Sequence, residues 1–407
     1  MKIDPAQHPW MTAPETRAVM AVLGEARFVG GAVRNAVLGA SVSDIDIAVP
    51  LRPRDAQARL AAAGIKVVPT GIDHGTITAV TAGKCFEITS LRRDVETDGR
   101  HAVIAYTNDW AEDAGRRDFT INALYAAGDG EIFDYATGIE DLIAGRVRFM
   151  GDAPARIAED YLRVLRLFRF HAWYGKGEID AEALRAAAAA KHHLHRLSGE
   201  RVAKELRRLL EAPVPGPVLR VMAAAAILSE LLPGALDLSR LEKLTEIERD
   251  NFFAPDPLLR LAAMLPDSGA AHAMADRLRL SNTDRARLAD ALADDEKIVS
   301  YLSVREVRRL LYKIGPAAFK DRVLLKWAGA QRAAAAIQWR MLFEMAATWE
   351  RPRFPLTGRE VRLAGVPEGP EVGRILAEVQ AWWIDCDFVA DELAIAERLK
   401  AVVQGRM

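Results

Sequence analysis

The chain has 407 residues, half of them hydrophobic, with 55 Lys and Arg against 56 Asp and Glu and a formal net charge of −1. That length points to about two to four domains, and the balanced charge excludes a globally basic nucleic-acid binder, leaving any RNA contact to local clusters of arginine. Two distant cysteines, Cys85 and Cys386, match no metal spacing and no disulfide framework, which suits a reducing cytoplasm. No apolar run is long enough to cross a bilayer, and the N-terminus, with Asp4 and Glu15, has no signal or transit character.

In chain order, Phe28 and Val29 read as the end of a short apolar strand, and Gly30-Gly31 as a tight turn into a helix over Ala32 to Leu38. Backbone N–H groups at such a start suit a triphosphate, and Arg34 brings a fixed charge for the same ligand. The next strand, Ser43 to Val49, puts Asp44 and Asp46 on one face because side chains alternate. Carboxylates held side by side are costly unless cations sit between them. A pair of divalent ions carrying a nucleoside triphosphate would fill that role.

Further strands are expected at Ile65 to Val68, Thr76 to Val80, Cys85 to Thr89 and Ala102 to Tyr106. Within Phe86-Glu87-Ile88-Thr89, Glu87 faces away from Phe86 and Ile88. It becomes a third carboxylate for the metals if this strand neighbours the Asp44/Asp46 strand. The polar run Leu91 to His101, with Gly99 as a hinge, suits a mobile loop beside a site or a plain surface hairpin. Arg116-Arg117-Asp118-Phe119-Thr120 reads as the start of an amphipathic helix through Ile121, Leu124 and Tyr125. Two arginines at a helix start oppose its dipole, so an anion beside Arg117 is expected. Asp118 or Thr120 could instead cap that helix.

After Gly151 the pattern turns helical, with Ala-rich runs at Ala181 to Ala190 and Ala333 to Ala336. Pro213 to Pro217, Ala254 to Pro257 and Arg351-Pro-Arg353 break it. Asp160, Arg163, Arg166 and Arg169, spaced by three, run as a polar stripe along one helix, with Leu165, Phe168 and Ala172 on the core side. A repulsive series of three arginines argues for an anionic or base-like partner. The architecture is an α/β head with a small mixed sheet, then an elongated all-α remainder. Its segments are a head at 1–147, a neck at 148–217, a body at 218–350 and a tail at 351–407.

With these residues in view, the chain resembles the class II tRNA nucleotidyltransferases, the CCA-adding enzymes, and their poly(A) polymerase relatives. The matching motifs are Gly30-Gly31-x-Val33-Arg34, Asp44-x-Asp46, Phe86-Glu87-Ile88-Thr89, Asp98-Gly99-Arg100, Arg116-Arg117-Asp118-Phe119-Thr120 and Glu159-Asp160-x-x-Arg163. The likeness continues in Leu197-Ser198-Gly199-Glu200-Arg201 and Pro355-Leu356-Thr357-Gly358. One departure is Asn35, where the family usually has Asp after Val-Arg; the amide keeps the hydrogen-bonding shape and loses the charge.

The resemblance implies a catalytic head, a neck that reads the incoming base, and a body and tail that hold the tRNA acceptor arm. It implies template-independent addition of CCA to tRNA from CTP and ATP, releasing pyrophosphate. Mg2+, with Mn2+ as an alternative, would be held by Asp44, Asp46 and Glu87. Gly30, Gly31, Arg34 and Arg117 would bind the triphosphate, with Arg166 and Arg169 joining the nucleotide site. Asp160 would accept from the exocyclic amino group of cytosine or adenine while Arg163 donates to the ring nitrogen or carbonyl. Uracil and guanine reverse that polarity and leave a buried carboxylate facing a carbonyl. No membrane or protein partner is inferred, and with no His-Asp dyad no fused phosphohydrolase activity is expected. The rival readings are a poly(A) polymerase or partial CC- or A-adding enzyme, a small-molecule nucleotidyltransferase, and a non-catalytic RNA-binding protein.

Overall fold

A computed structural model describes residues 1–97, 102–330 and 335–405. The Asp98-Gly99-Arg100 motif, His101 and Ala333 lie outside the described residues. Two compact units emerge, Met1–Pro233 and Gly234–Met407. The segments expected as head and neck fall in the first unit, together with the start of the expected body.

The first unit is built on strands β1 (Arg27–Val29), β2 (Ile45–Val49), β3 (Lys66–Gly71), β4 (Thr76–Thr81), β5 (Lys84–Ser90), β8 (Leu124–Ala126) and β9 (Ile132–Asp134). Their order is β3-β4-β5-β2-β1-β8-β9. Only β2 and β5 pair in parallel, so the sheet is mixed as expected. β2 sits centrally and is buried at Ile45, Ile47, Ala48 and Val49, so Asp46 is the one break in an apolar strand covered on both faces.

β6 (Arg92–Thr97) and β7 (Ala102–Tyr106) pair antiparallel as a separate two-stranded sheet, so of the two readings of the Leu91 to His101 run the described residues take the hairpin. One reading of local structure is corrected. Phe119 to Tyr125 does not form a helix. A single 3-10 turn, Thr120–Asn122, leads into β8, whose Tyr125 and Ala126 register with Val29 and Phe28 of β1. Burial of Leu124, Tyr125 and Ala126 inside the sheet overrides a short apolar pattern that periodicity alone cannot assign.

Beyond Gly151 the described residues form helices and turns. The helix expected through Asp160 is broken there. One helix, Ala153–Glu159, ends at Asp160 in an extended conformation (φ −156°), and a second, Leu162–Tyr174, begins after it. The second helix packs against the Gly199–Leu210 helix, with Leu165 beside the buried Val202, Leu206 and Leu209.

The second unit is all-helical among the described residues. Its core contains a buried pair, Glu248 and Arg260, at 2.7 Å. Its last helices, Pro370–Asp385 and Glu392–Gln404, close over Trp383, Val379 and Leu399, and Tyr312 from the Val304–Ile314 helix joins that cluster. The expected tail therefore shares its core with residues that precede it. In Pro355-Leu356-Thr357-Gly358, Thr357 and Glu360 form a capping box for the Gly358–Leu363 helix. Among the described residues no helix is long and apolar enough to cross a membrane.

Candidate active site

β1 ends at Val29 and the chain turns through Gly30, whose φ of 65° is strained for any residue with a Cβ. The missing side chain also lets this turn lie close to the Arg117 guanidinium, 3.7 Å from where a Cβ would stand. Gly31 then opens the Gly31–Val37 helix, one turn of which carries Arg34 inward to 7% exposure. The Arg34 guanidinium donates to the Asn122 side chain, to Asn35 Oδ1 (3.3 Å) and to the Tyr174 hydroxyl (2.9 Å), and it lies 4.2 Å from the Tyr174 ring centroid. Its Nε has no partner. Burial lowers its pKa, and no carboxylate bonds to it. This is a buried cation facing a cavity without a bonded counter-charge, an arrangement that favours an anionic ligand.

Asp44 and Asp46 share one face of the chain, as alternation requires, and both line that cavity. Asp46 registers with Glu87 on parallel β5, the neighbourhood on which the third carboxylate depends. Burial, with Glu87 and Asp44 adding repulsion against the pull of Arg117, raises the Asp46 carboxyl to about 6. Three acidic side chains whose charges oppose one another are a donor set suited to a divalent cation. As placed, the three do not form a metal-holding group: among the described residues no three His, Cys, Asp or Glu are grouped to hold a metal ion.

Arg117 is placed by different physics from that expected. Arg116 and Arg117 follow the C-terminal end of the Trp110–Gly115 helix, where the dipole favours cations. Arg117 donates to the Tyr125 hydroxyl (3.0 Å) and to Asp113 (3.1 Å), and Tyr125 also donates to Asp113 (2.7 Å). Burial pulls the Arg117 pKa down, but Tyr125 and Asp113 outweigh it and the net shift is upward. No external anion is needed to keep Arg117 charged, yet it still lines the cavity.

The helical wall is corrected in the same sense. Arg163 pairs with Glu159 and donates to the Arg156 carbonyl (2.8 Å). Arg166 pairs with Asp118 (2.7 Å from Nε) and stands 3.5 Å from Glu205, while Arg169 donates to Glu205 at 2.6 Å. The repulsion among the three arginines is thus offset inside the protein. Asp118, expected as a cap, is the hub: it accepts from Arg166 and from Asn122 (3.0 Å), and Asn122 in turn holds Arg34. Asp160 accepts from the Leu162 backbone N–H (3.1 Å) and from Arg201 (2.7 Å).

Asn35 has a role that carboxylate chemistry could not supply. Its Nδ2 donates to the Ser41 carbonyl (2.9 Å), tying down the segment that leads to Asp44. Its Oδ1 accepts from Arg34 and from Tyr174 (3.2 Å).

The cavity holds about 520 Å³ and brings together Gly30, Gly31, Arg34, Asp44, Asp46, Arg117, Arg166 and Arg169. Glu87, Asp160 and Arg163 are not among its lining residues, although Glu87 acts on Asp46 and the charge of Arg163 reaches Asp118. Glu205, Tyr174 and Asn122 escaped the sequence reading. For Glu205 a signal existed: an acidic residue at the apolar spacing of Val202, Leu206 and Leu209.

A strand-turn-helix with paired acidic residues on the next strand, facing a cavity rich in arginine, is the arrangement of a nucleotide-handling site. Residues 26–148 match the family model described as "Poly A polymerase head domain", and residues 178–238 match "Probable RNA and SrmB- binding site of polymerase A". Over 377 residues the chain is 33% identical to "CCA tRNA nucleotidyltransferase 1, mitochondrial" of Danio rerio, covering 88% of this chain and 83% of that protein. It is 36% identical over 237 residues to "CCA-adding enzyme" of Leuconostoc citreum, covering 58% and 57%. The fold is like that of the Bacillus stearothermophilus CCA-adding enzyme in complex with CTP, with a TM-score of 0.77 at 24% identity over 97% of this chain and 98% of that one. The chain belongs to the CCA tRNA nucleotidyltransferase family.

Proposed function

We propose that this chain extends the 3′ end of tRNA with CCA, without a template, from CTP and ATP. The observation that carries the reading is the meeting, in one cavity, of Asp44 and Asp46 with the buried and incompletely bonded Arg34. The tRNA 3′-hydroxyl would attack the α-phosphate, and pyrophosphate would leave. Mg2+ held by Asp44, Asp46 and Glu87 would make that hydroxyl a better nucleophile and steady the leaving oxygens.

Arg34 and Arg117, beside Gly30 and Gly31, would receive the triphosphate. Buried and held rigid by Asn122, Tyr174, Asp113 and Tyr125, they would lose little freedom on binding it. Arg166 and Arg169 would border the nucleotide from the helical wall. Asp160 and Arg163 would select the base, with Arg201 and Glu159 as the partners they exchange for it. In this reading catalysis lies in the head, 1–147, and base selection in the neck, 148–217, while the body and tail hold the acceptor arm.

The test is to incubate the full chain with tRNA lacking its 3′ end and each labelled nucleotide in turn, then sequence the products. Two cytidines followed by one adenosine are expected. A run of adenosines would assign a poly(A) polymerase, and arrest after one kind of nucleotide a partial enzyme.

A further inference from the structure

The cavity wall continues beyond the residues assigned so far. On the Leu162–Tyr174 helix, Arg166, Arg169, Phe170 and Trp173 recur at the spacing of one helix face and line the cavity together. Trp173 is 42% exposed, yet its Nε1 donates to the Arg208 carbonyl at 2.7 Å. The polar edge of the indole is therefore satisfied and its orientation fixed. Among the described residues no other ring stacks on it, whereas the neighbouring Tyr174 is already engaged by Arg34.

Arg208 of the Gly199–Leu210 helix lines the same wall, and Lys204 stands one turn back along that helix. Both side chains are exposed and neither has an acidic partner among the described residues. Like charges four apart on a helix repel. Here, unlike in the Arg163–Arg166–Arg169 series, no carboxylate among the described residues pairs with either, although Glu211 lines the same cavity. A fixed aromatic face beside cations without partners is the combination that holds single-stranded nucleic acid: bases stack and phosphates pair, without reading sequence.

We propose that Trp173, Arg208 and Lys204 form a seat for the 3′-terminal nucleotides of the RNA to be extended. Trp173 stacks on a nucleobase, and the two cations hold the phosphates behind it. The proposal rests on the reading that the chain extends an RNA 3′ end. A hydroxyl delivered from this seat enters the space that Asp44 and Asp46 face. The seat is separate from the base-selection end, since ten residues of helix between Arg163 and Trp173 span about 15 Å.

The test uses the full chain and tRNA lacking its 3′ end, with the tRNA dissociation constant measured across a range of KCl concentrations and the KM for CTP measured beside it. Trp173→Ala should weaken tRNA binding about tenfold, and Trp173→Phe, which keeps an aromatic face, should restore most of it. The double variant Lys204→Gln/Arg208→Gln should flatten the salt dependence by about 0.7 for each phosphate no longer neutralised. The KM for CTP should stay near that of the parent in all three.

Parent-like tRNA affinity and salt slope in the variants would overturn the seat. A rise in the KM for CTP with tRNA binding unchanged would also overturn it, by moving this wall to the incoming nucleotide. Equal losses in Trp173→Phe and Trp173→Ala would reduce the indole to its bond with the Arg208 carbonyl. Failure of the parent to extend tRNA would sink the proposed function instead, and the binding measurement would still decide the seat.

Discussion

The sheet side and the helical side of the site handle charge in opposite ways. On the sheet side, Asp44, Asp46 and Glu87 are held near one another, and the strain shows in an Asp46 carboxyl raised to about 6 by burial and by its neighbours. On the helical side, Arg166 and Arg169 are matched by Asp118 and Glu205, and Arg163 by Glu159. The sheet side gathers carboxylates that repel one another, whereas Arg163, Arg166 and Arg169 on the helical side are each matched by a carboxylate of the protein. An arginine series in a sequence therefore does not by itself indicate a ligand, while carboxylates gathered without cations come closer to doing so.

Breaking the sheet wall should have the largest effect. Asp44→Ala or Asp46→Ala should lower nucleotide addition by at least about a thousandfold while tRNA binding persists, measured by single-turnover CTP incorporation beside a binding assay. Activity within about tenfold of the parent in either variant would remove the metal assignment.

Breaking the helical wall should cost stability before it costs chemistry. Glu205 is 4% exposed, and its removal leaves Arg169 buried without its bonded partner and Arg166 with Asp118 alone. Glu205→Ala should therefore destabilise the first unit by about 3–5 kcal/mol, read as a lower thermal midpoint. An unchanged midpoint would mean that water or a rearranged carboxylate replaces Glu205.

The sequence revealed the sheet wall because its signals are local. A glycine pair at a strand end, aspartates two apart, and a glutamate between apolar neighbours each follow from side-chain alternation or turn geometry. It hid the helical wall because the partners are remote: Arg166 and Asp118 are 48 residues apart, Arg169 and Glu205 are 36, and Arg34 and Tyr174 are 140. No pattern within a window of a dozen residues encodes such a pair. The misplaced helix at Arg117 has a local cause. Gly115 ends one helix, and the apolar residues beyond it suit β8 as well as they suit a helix face.

Base selection should respond by a smaller amount. Asp160→Ala removes the acceptor proposed for the amino edge of cytosine or adenine and frees Arg201. Correct addition should fall by about 1–3 kcal/mol in kcat/KM for each lost hydrogen bond, and discrimination against UTP and GTP should shrink. Full selectivity in Asp160→Ala would leave the residue with a local structural part only, through its bonds to the Leu162 N–H and Arg201.

The smallest effect sharpens the comparison most, because it reads the strain of the sheet wall without any chemistry. In protein stripped of divalent ions, the Asp46 carboxyl binds its proton more tightly in the folded chain, at about 6, than in the unfolded chain, at 3.8. Between those values the native state holds more protons, so stability falls as pH rises from about 4 through about 6. The shift corresponds to at most ~3 kcal/mol, and screening at a partly exposed site reduces it to ~1 kcal/mol. Asp46→Asn removes the charge, so the variant should melt higher than the parent at pH 8 in chelator and by progressively less toward pH 4. Added Mg2+ should close the gap from the other side, by stabilising the parent alone through preferential binding to its folded state. A variant that melts lower than the parent at pH 8 in chelator would show that the three carboxylates carry no mutual strain, and the contrast between the two walls would fall with it.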